Sequence, residues 1–404
     1  MTSITPVHSE SVSVSTEANK RIELIDMLRG FALVGILLLH HMGHFNMFVP
    51  PDQSIGPFSP EFDKEVARLM RLIFLGKAYC LFSFLFGYSF WIQFRNQQSR
   101  GYDFGPRFAW RMVLLFLLGN IHMIYYRGDI LAFYAMLSFP LILTRKWPTW
   151  IVFSVAALLI SNPYFIVRLI YHLHNPDVAL VKHTFGNFFP EIKKLMINGP
   201  FWELSWVNLT KGRISILEWN WYQGRVFQTA ALFLFGMVAA RINLFSKTSA
   251  KTWFVVFIVS FLILLPLHFV LANYGLWSEP GKFRNLTRGL LGPNRSLIQM
   301  IMMTSLLCLA WNVRPLRNAL QVLVPFGKMS LTNYMLMGLI GVFLYQGVGL
   351  GLYRYLGSTL SLLVALILTV LHIIGSTLWL KRFKQGPLEY LWKKLTWISL
   401  NKKT

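Results

Sequence analysis

Arg29 and His40 are the residues of this sequence whose types and spacing most directly suggest chemistry. They fall in the run Arg21-Ile-Glu-Leu-Ile-Asp26-Met-Leu-Arg29-Gly30-Phe-Ala-Leu-Val-Gly35-Ile-Leu-Leu-Leu-His40-His41. Eleven residues of α-helix make three turns plus about 20°, so the two share a face with a rise of ~16 Å between them. Arg29 belongs at the cytosolic boundary of a membrane span, where a guanidinium can hold an anion, and His40 well into the outer half. A buried imidazole stays neutral more readily than an exposed one, and a neutral imidazole is what a general base must be. The plainer role for His40 is a hydrogen bond to a neighbouring helix. His40 and His44 have the spacing of a metal-binding pair, but no nearby acid completes a site, and no metal is expected.

A second polar cluster occupies the turn Tyr126-Arg127-Gly128-Asp129, with Asn120 and His122 just before it. The apolar runs on either side are about 15 residues, or roughly 22 Å, short of the ~30 Å hydrocarbon core. The turn should therefore lie below the outer surface, where irregular backbone survives only inside protein or along a cavity. Arg127 and Asp129 either neutralise each other or line a polar pocket. Lys77, Arg168, Gln228, His268, Asn333, Tyr334, Gln346 and His372 are further polar residues within apolar stretches, where interhelical hydrogen bonds are their commonest use.

These residues must be positioned by helices in a membrane. The 404 residues are 55% hydrophobic and 14% charged, with a net charge of +23. Apolar runs at 30–49, 72–94, 112–126, 130–144, 148–170, 226–242, 252–275, 296–313, 329–349 and 358–380 predict an all-α, polytopic integral membrane bundle of about ten transmembrane helices. Lys and Arg in alternate short loops put both termini in the cytosol and account for much of the charge without nucleic acid. The divisions expected are a disordered cytosolic tail at 1–23, one transmembrane domain at 24–380 with an outer loop at 171–225, and a basic cytosolic tail at 381–404. Cys80 and Cys308, each in an apolar run, offer neither a disulfide framework nor a cysteine-ligated zinc. Lys211, Arg213 and Arg225 in one outer connection, and Arg284, Arg288 and Arg295 in another, are cations that orientation does not require. They are candidate contacts for an anionic acceptor or headgroup.

The run Leu24 to Ile36 resembles the first helix of the YeiB-like bacterial membrane proteins, a family labelled as a domain of unknown function. Four further blocks resemble it in family order: Phe82-Ser-Phe-Leu-Phe-Gly87, Gly128-Asp129-Ile-Leu-Ala-Phe-Tyr134-Ala, Phe326-Gly327-Lys-Met-Ser330-Leu-Thr332-Asn333-Tyr334, and Gly386-Pro387-Leu-Glu389-Tyr-Leu-Trp392. The first helix also looks like that of two groups of transmembrane acyltransferases, the type-three family that acylates extracytoplasmic sugars and the heparan glucosaminide acetyltransferase group. Arg and His with ten residues between them are the hallmark of the type-three family, and Arg29 with His40 match it. YeiB-like proteins usually carry Asn at the second position, so by this resemblance His40 departs from them toward the acyltransferases.

The resemblance implies transfer of an acyl group, acetyl foremost, from cytosolic acyl-CoA as co-substrate to an extracytoplasmic sugar, lipid or envelope acceptor. His40 would take the acceptor proton or the acyl group, and Asp129 or Arg127 would orient it or bind the acceptor. Arg29, Arg107, Arg111 and Arg145, with Lys146, would hold CoA phosphates. His122, Asn333 and Tyr334 would line the acceptor side, the last two as oxyanion donors. The expected location is the bacterial cytoplasmic membrane. The expected partners are membrane lipids and an anionic or carbohydrate acceptor, with the oligomeric state, homodimer included, left open. The alternative is a transporter or lipid-binding protein in which Arg127, Asp129, Lys77 and His122 line a path for an anionic solute or headgroup.

Overall fold

The computed structural model describes residues 8–48, 51, 55–175, 177–178, 186–277 and 284–398, with backbone alone at 8–22, 247, 271–277, 284–285 and 287–288. Every regular element among the described residues is helical. The first half comprises α1 (His8–Met42), α2 (Pro60–Phe74), α3 (Lys77–Gln98), α4 (Phe104–Tyr125), the short α5 (Leu131–Leu137) and α6 (Phe139–Thr144), α7 (Thr149–Ile160) and α8 (Pro163–His174). Next come α9 (Phe189–Asn198), α10 (Phe201–Val207), a π-helical turn (Asn208–Gly212) and α11 (Arg213–Tyr222). The remainder is α12 (Arg225–Arg241), α13 (Leu244–Lys247), α14 (Ala250–Trp277), α15 (Arg284–Asn312), α16 (Arg314–Leu320), α17 (Leu323–Lys328), α18 (Ser330–Tyr345), α19 (Ser358–Arg382) and α20 (Pro387–Thr396).

Five stretches are long and apolar enough to cross a membrane: Glu23–Met42, Pro60–Gln98, Phe104–Tyr125, Ala250–Val270 and Ser358–Arg382. Two bent pairs bring the number to seven, α7 with α8 at 43° and Gly289–Asn312 with α16 at 115°. Three of the ten expected segments are shorter. Helices α5 and α6 break around Ser138, just ahead of Pro140, which has no amide hydrogen to continue the ladder. Helices α12 and α18 have 17 and 16 residues, or ~26 and ~24 Å. Most of α12 is buried inside the protein, so its apolarity is that of a core helix, which periodicity alone does not separate from a span. The connection expected at 171–225 is, over its described residues, largely the helical cover α9 to α11.

Close approaches set the frame. A Cβ on Gly87 would lie 1.9 Å from the Phe233 carbonyl oxygen, and one on Gly236 1.9 Å from that of Phe84, so α3 and α12 meet backbone to backbone. Gly327 does the same against α1, where a Cβ would lie 1.8 Å from the Asp26 carbonyl oxygen. Two carboxylates cap helices from a distance. Glu389 accepts from the backbone of Leu331 and Thr332 and from the Thr332 hydroxyl, at 2.7, 3.1 and 2.5 Å, fixing α20 to the start of α18. Asp63 does so for α19, accepting from the Ser358 and Thr359 amides at 3.1 and 2.9 Å. Glu389 lies in the segment expected as a basic tail. There α20 also docks on α4, with Trp392 Nε1 donating to the Arg111 carbonyl at 3.0 Å.

Candidate functional site

At the C-terminal end of α1 the chain turns back through His44, Phe45, Asn46 and Phe48, all at positive φ between 47° and 71°. A run of non-glycine residues in this region costs about 1–2 kcal/mol per residue and persists only where the surroundings enforce it. Here Phe45 is wholly buried, ringed by His40, His41, Tyr126 and Tyr345. The turn brings Asn46 Nδ2 to 3.2 Å from the Tyr126 hydroxyl, which also bonds His40 Nδ1 at 2.9 Å. His40 is half-buried.

Tyr126 stands between two imidazoles, its ring 5.4 Å from His40 and 5.4 Å from His122. His122 Nδ1 lies 2.9 Å from Asp129 Oδ1, while the other carboxylate oxygen accepts the Ala132 amide at 2.8 Å. Both side chains are fully enclosed, and His122 Nε2 has no hydrogen-bond partner among the described residues. That nitrogen faces Gly338, where a Cβ would come within 2.4 Å of it. Asp129 thus orients His122, and the geometry does not pair it with Arg127 or His40. Arg127 is buried with its guanidinium over the Phe189 ring at 4.4 Å, and its Nε and Nη1 lack partners among the described residues. Tyr334 packs on His122 at 4.9 Å and accepts the Ile130 amide at 3.1 Å. Asn333 points elsewhere, to Ser376 Oγ at 2.9 Å and His372 Nδ1 at 2.9 Å, so the two do not form a common donor pair.

At the other end of the same face, Arg29 donates to Asp26 at 2.5 Å and to Ser89 at 2.5 Å. It borders a cavity of about 200 Å³ shared with Arg111, Lys328, Gln93, Glu389 and Trp392. The Arg111 guanidinium stacks over Trp392 at 3.7 Å. This volume, below the ~300 Å³ at which drug-sized ligands are enclosed, is enough for a phosphate group. Arg107 and Arg145, expected beside Arg29, serve elsewhere. Arg107 donates to the Thr396 and Ile398 carbonyls at 3.4 and 3.1 Å, and Arg145 pairs with Asp103 at 2.9 Å. Hydrogen bonds from Arg145 and the Gly105 amide hold the Asp103 carboxyl below the usual aspartate range.

Among the cations expected on the outer side, Arg213 bonds Asn120 Oδ1 and Lys211 pairs with Glu191 at 2.8 Å. Arg225 and Arg295 line a separate, larger cavity with Lys77. The side chains of Arg284 and Arg288 lie outside the described residues. Among the described residues, His, Cys, Asp and Glu do not converge in threes as a metal would need. Sequence reasoning missed Tyr126 as the partner of His40, Asn46 behind it, and Lys328 with Trp392 beside Arg111. Tyr126 and Lys328 lay within segments already marked, but only the folded chain pairs them.

Helices long and apolar enough to cross a membrane, gathered around interior polar clusters, define the class as a multi-helical, membrane-type protein. Residues 239–399 match the family model described as protein of unknown function, DUF418. The chain is 26% identical to the uncharacterized protein YxaH of Bacillus subtilis, over 95% of this chain and 96% of that one. It is also 26% identical to the uncharacterized protein YeiB of Escherichia coli, over 92% and 95% of the two chains. The family-model match and the near full-length likeness to YxaH and YeiB support a YeiB-like DUF418 assignment for the chain.

Proposed function

We propose that the protein is a transmembrane acyltransferase of the bacterial cytoplasmic membrane, with both termini cytosolic. It would move an acyl group, acetyl foremost, from cytosolic acyl-CoA to a hydroxyl or amine of an envelope sugar or lipid. The observation that carries this reading is one helix face with a cation-lined cavity at Arg29 and, eleven residues on, a half-buried imidazole held by Tyr126. The ~16 Å between them suits an extended pantetheine arm. If Tyr126 accepts His40 Nδ1–H beside the bond from Asn46, His40 Nε2 keeps its lone pair for the acceptor proton. The acceptor oxygen or nitrogen then bonds the acyl carbon, the C–S bond breaks, and CoA leaves as a thiolate that takes up a proton. Asp129 and His122 support the Tyr126 wall, in place of the direct role first expected for Asp129.

Arg29, Arg111 and Lys328 would hold CoA phosphate by charge-assisted bonds. Removing one such contact costs roughly a factor of ten in affinity, so Arg111→Gln should weaken acyl-CoA binding about that much in calorimetry on the purified protein. His40→Ala should bind acyl-CoA normally and lose transfer of labelled acetyl to the envelope fraction. Wild-type acylation by that variant would remove the catalytic proposal. The alternative of a solute path through Lys77, Arg127, His122 and Asp129 draws less support, because Asp129 is engaged by His122 Nδ1 and the Ala132 amide and Lys77 lines a different cavity.

A further inference from the structure

The largest of the described cavities, about 810 Å³, lies where the end of α2 and the starts of α3 and α12 meet α14 and α15. Its size is that of a small-molecule site. Arg68, Arg71, Lys77, Arg225 and Arg295 all line it, and among the described residues no carboxylate does. Glu65, which pairs with Arg68 at 3.6 Å, stands outside the lining. Like charges collected without acids repel one another and raise the local potential, a cost that an anionic ligand removes.

The cations are also held in place. The Arg225 guanidinium is stacked over Tyr79 at 4.7 Å and Trp219 at 4.4 Å, which leaves its N–H edge for another partner. Lys77 is nearly enclosed, its Nζ anchored 2.6 Å from the Leu72 carbonyl at the end of α2. Gly76 turns the chain there at φ +84°, and a Cβ on it would meet Ser296 Oγ at 2.7 Å, so the rim is closely fitted. Two arginines elsewhere answer to the fold instead, Arg145 to Asp103 and Arg241 to the Trp147 carbonyl at 2.6 Å.

Exposed apolar residues accompany this charge: Leu72 and Leu75 are themselves in the lining, and α14, which lines it through His268, exposes Leu262 and Leu265. Polyvalent positive charge bordered by apolar helix faces matches an anion that carries a hydrocarbon tail. We propose that this cavity binds a lipid through a phosphate or diphosphate headgroup. The inference stands whether or not His40 is catalytic.

The test is native mass spectrometry of the detergent-purified full chain, titrated separately with phosphatidic acid, phosphatidylcholine and inorganic pyrophosphate. The expected result is one saturable phosphatidic acid adduct, displaced by pyrophosphate and weakened at least tenfold in Arg71→Gln/Arg295→Gln. Lys193→Gln/Lys194→Gln on α9 should match wild type. Arg71 is exposed, so Arg71→Gln alone keeps the comparison available if the double variant unfolds; it should weaken the adduct severalfold. Adducts unchanged in both Arg variants, or phosphatidylcholine retained as well as phosphatidic acid, would overturn the site. Pyrophosphate binding with no phosphatidic acid adduct would overturn the lipid and assign the cavity to a soluble anion.

Discussion

The two basic cavities differ in what answers their charge. Around Arg29 the cations are interleaved with acids: Asp26 lies 2.5 Å from Arg29, and Glu389 lines the same cavity while capping α18. Around Lys77 the lining holds, among the described residues, five cations and no acid, and the supports are aromatic rings and backbone carbonyls. In the first, Arg29 bonds Ser89 on α3, Arg111 stacks on Trp392 of α20 and Glu389 caps α18, so substitution of these three mixes folding with function. In the second, no described carboxylate in the lining offsets the cations, which is the more informative arrangement for a binding claim. Helix α3 joins them, giving Ser89 and Gln93 to one and Lys77 and Tyr79 to the other.

The largest effect should come from breaking what the cavities share. Gly87→Ala forces a Cβ to 1.9 Å from the Phe233 carbonyl oxygen, where backbone cannot give way cheaply. We expect a loss of about 3 kcal/mol or failure to accumulate, with both cavities lost together, as read by thermal unfolding and anion binding. Glu389→Ala should separate them. It strands the Leu331 and Thr332 amides, for a cost of about 1–3 kcal/mol, yet phosphate binding at Lys77 should persist. Equal weakening at both sites would show the cavities to be one system. Gln299→Glu then makes the Lys77 cavity resemble its counterpart. A carboxylate among the five cations should weaken phosphate binding severalfold while leaving stability within about 1 kcal/mol of wild type or above it.

Helical class and apolar segments were legible from composition and periodicity, because burial in lipid and burial in protein both demand them. The number of long spans was not legible, for the same reason: α12 is as apolar as a span but is enclosed by its neighbours. Arg29 and His40 on one face followed from helix geometry alone. Their partners did not, since Ser89 is 60 positions and Tyr126 86 positions away in the chain. The resemblance blocks beginning at Phe326 and Gly386 carried more than family membership. They touch, Glu389 of one capping the helix begun by the other, a contact that no local pattern encodes.

The smallest effect concerns Arg145, the cation that was expected at Arg29 and is held by Asp103 instead. Asp103 accepts from Arg145 at 2.9 Å and from the Gly105 amide at 2.9 Å, and it is partly exposed. Asp103→Asn should therefore cost less than about 1 kcal/mol at neutral pH. Because these bonds depress the folded carboxyl below its ordinary value of 3.8, their stabilisation is full above that value. It is lost as pH falls from 3.8 through the lower folded value. The gap between wild type and Asp103→Asn in denaturant midpoints should accordingly be constant from pH 7 to about 5 and shrink below 4. A gap that widens on acidification would contradict the pairing. Acyl-CoA affinity should be the same in both proteins, whereas Arg111→Gln lowers it, because Arg111 lines the Arg29 cavity and Arg145 does not.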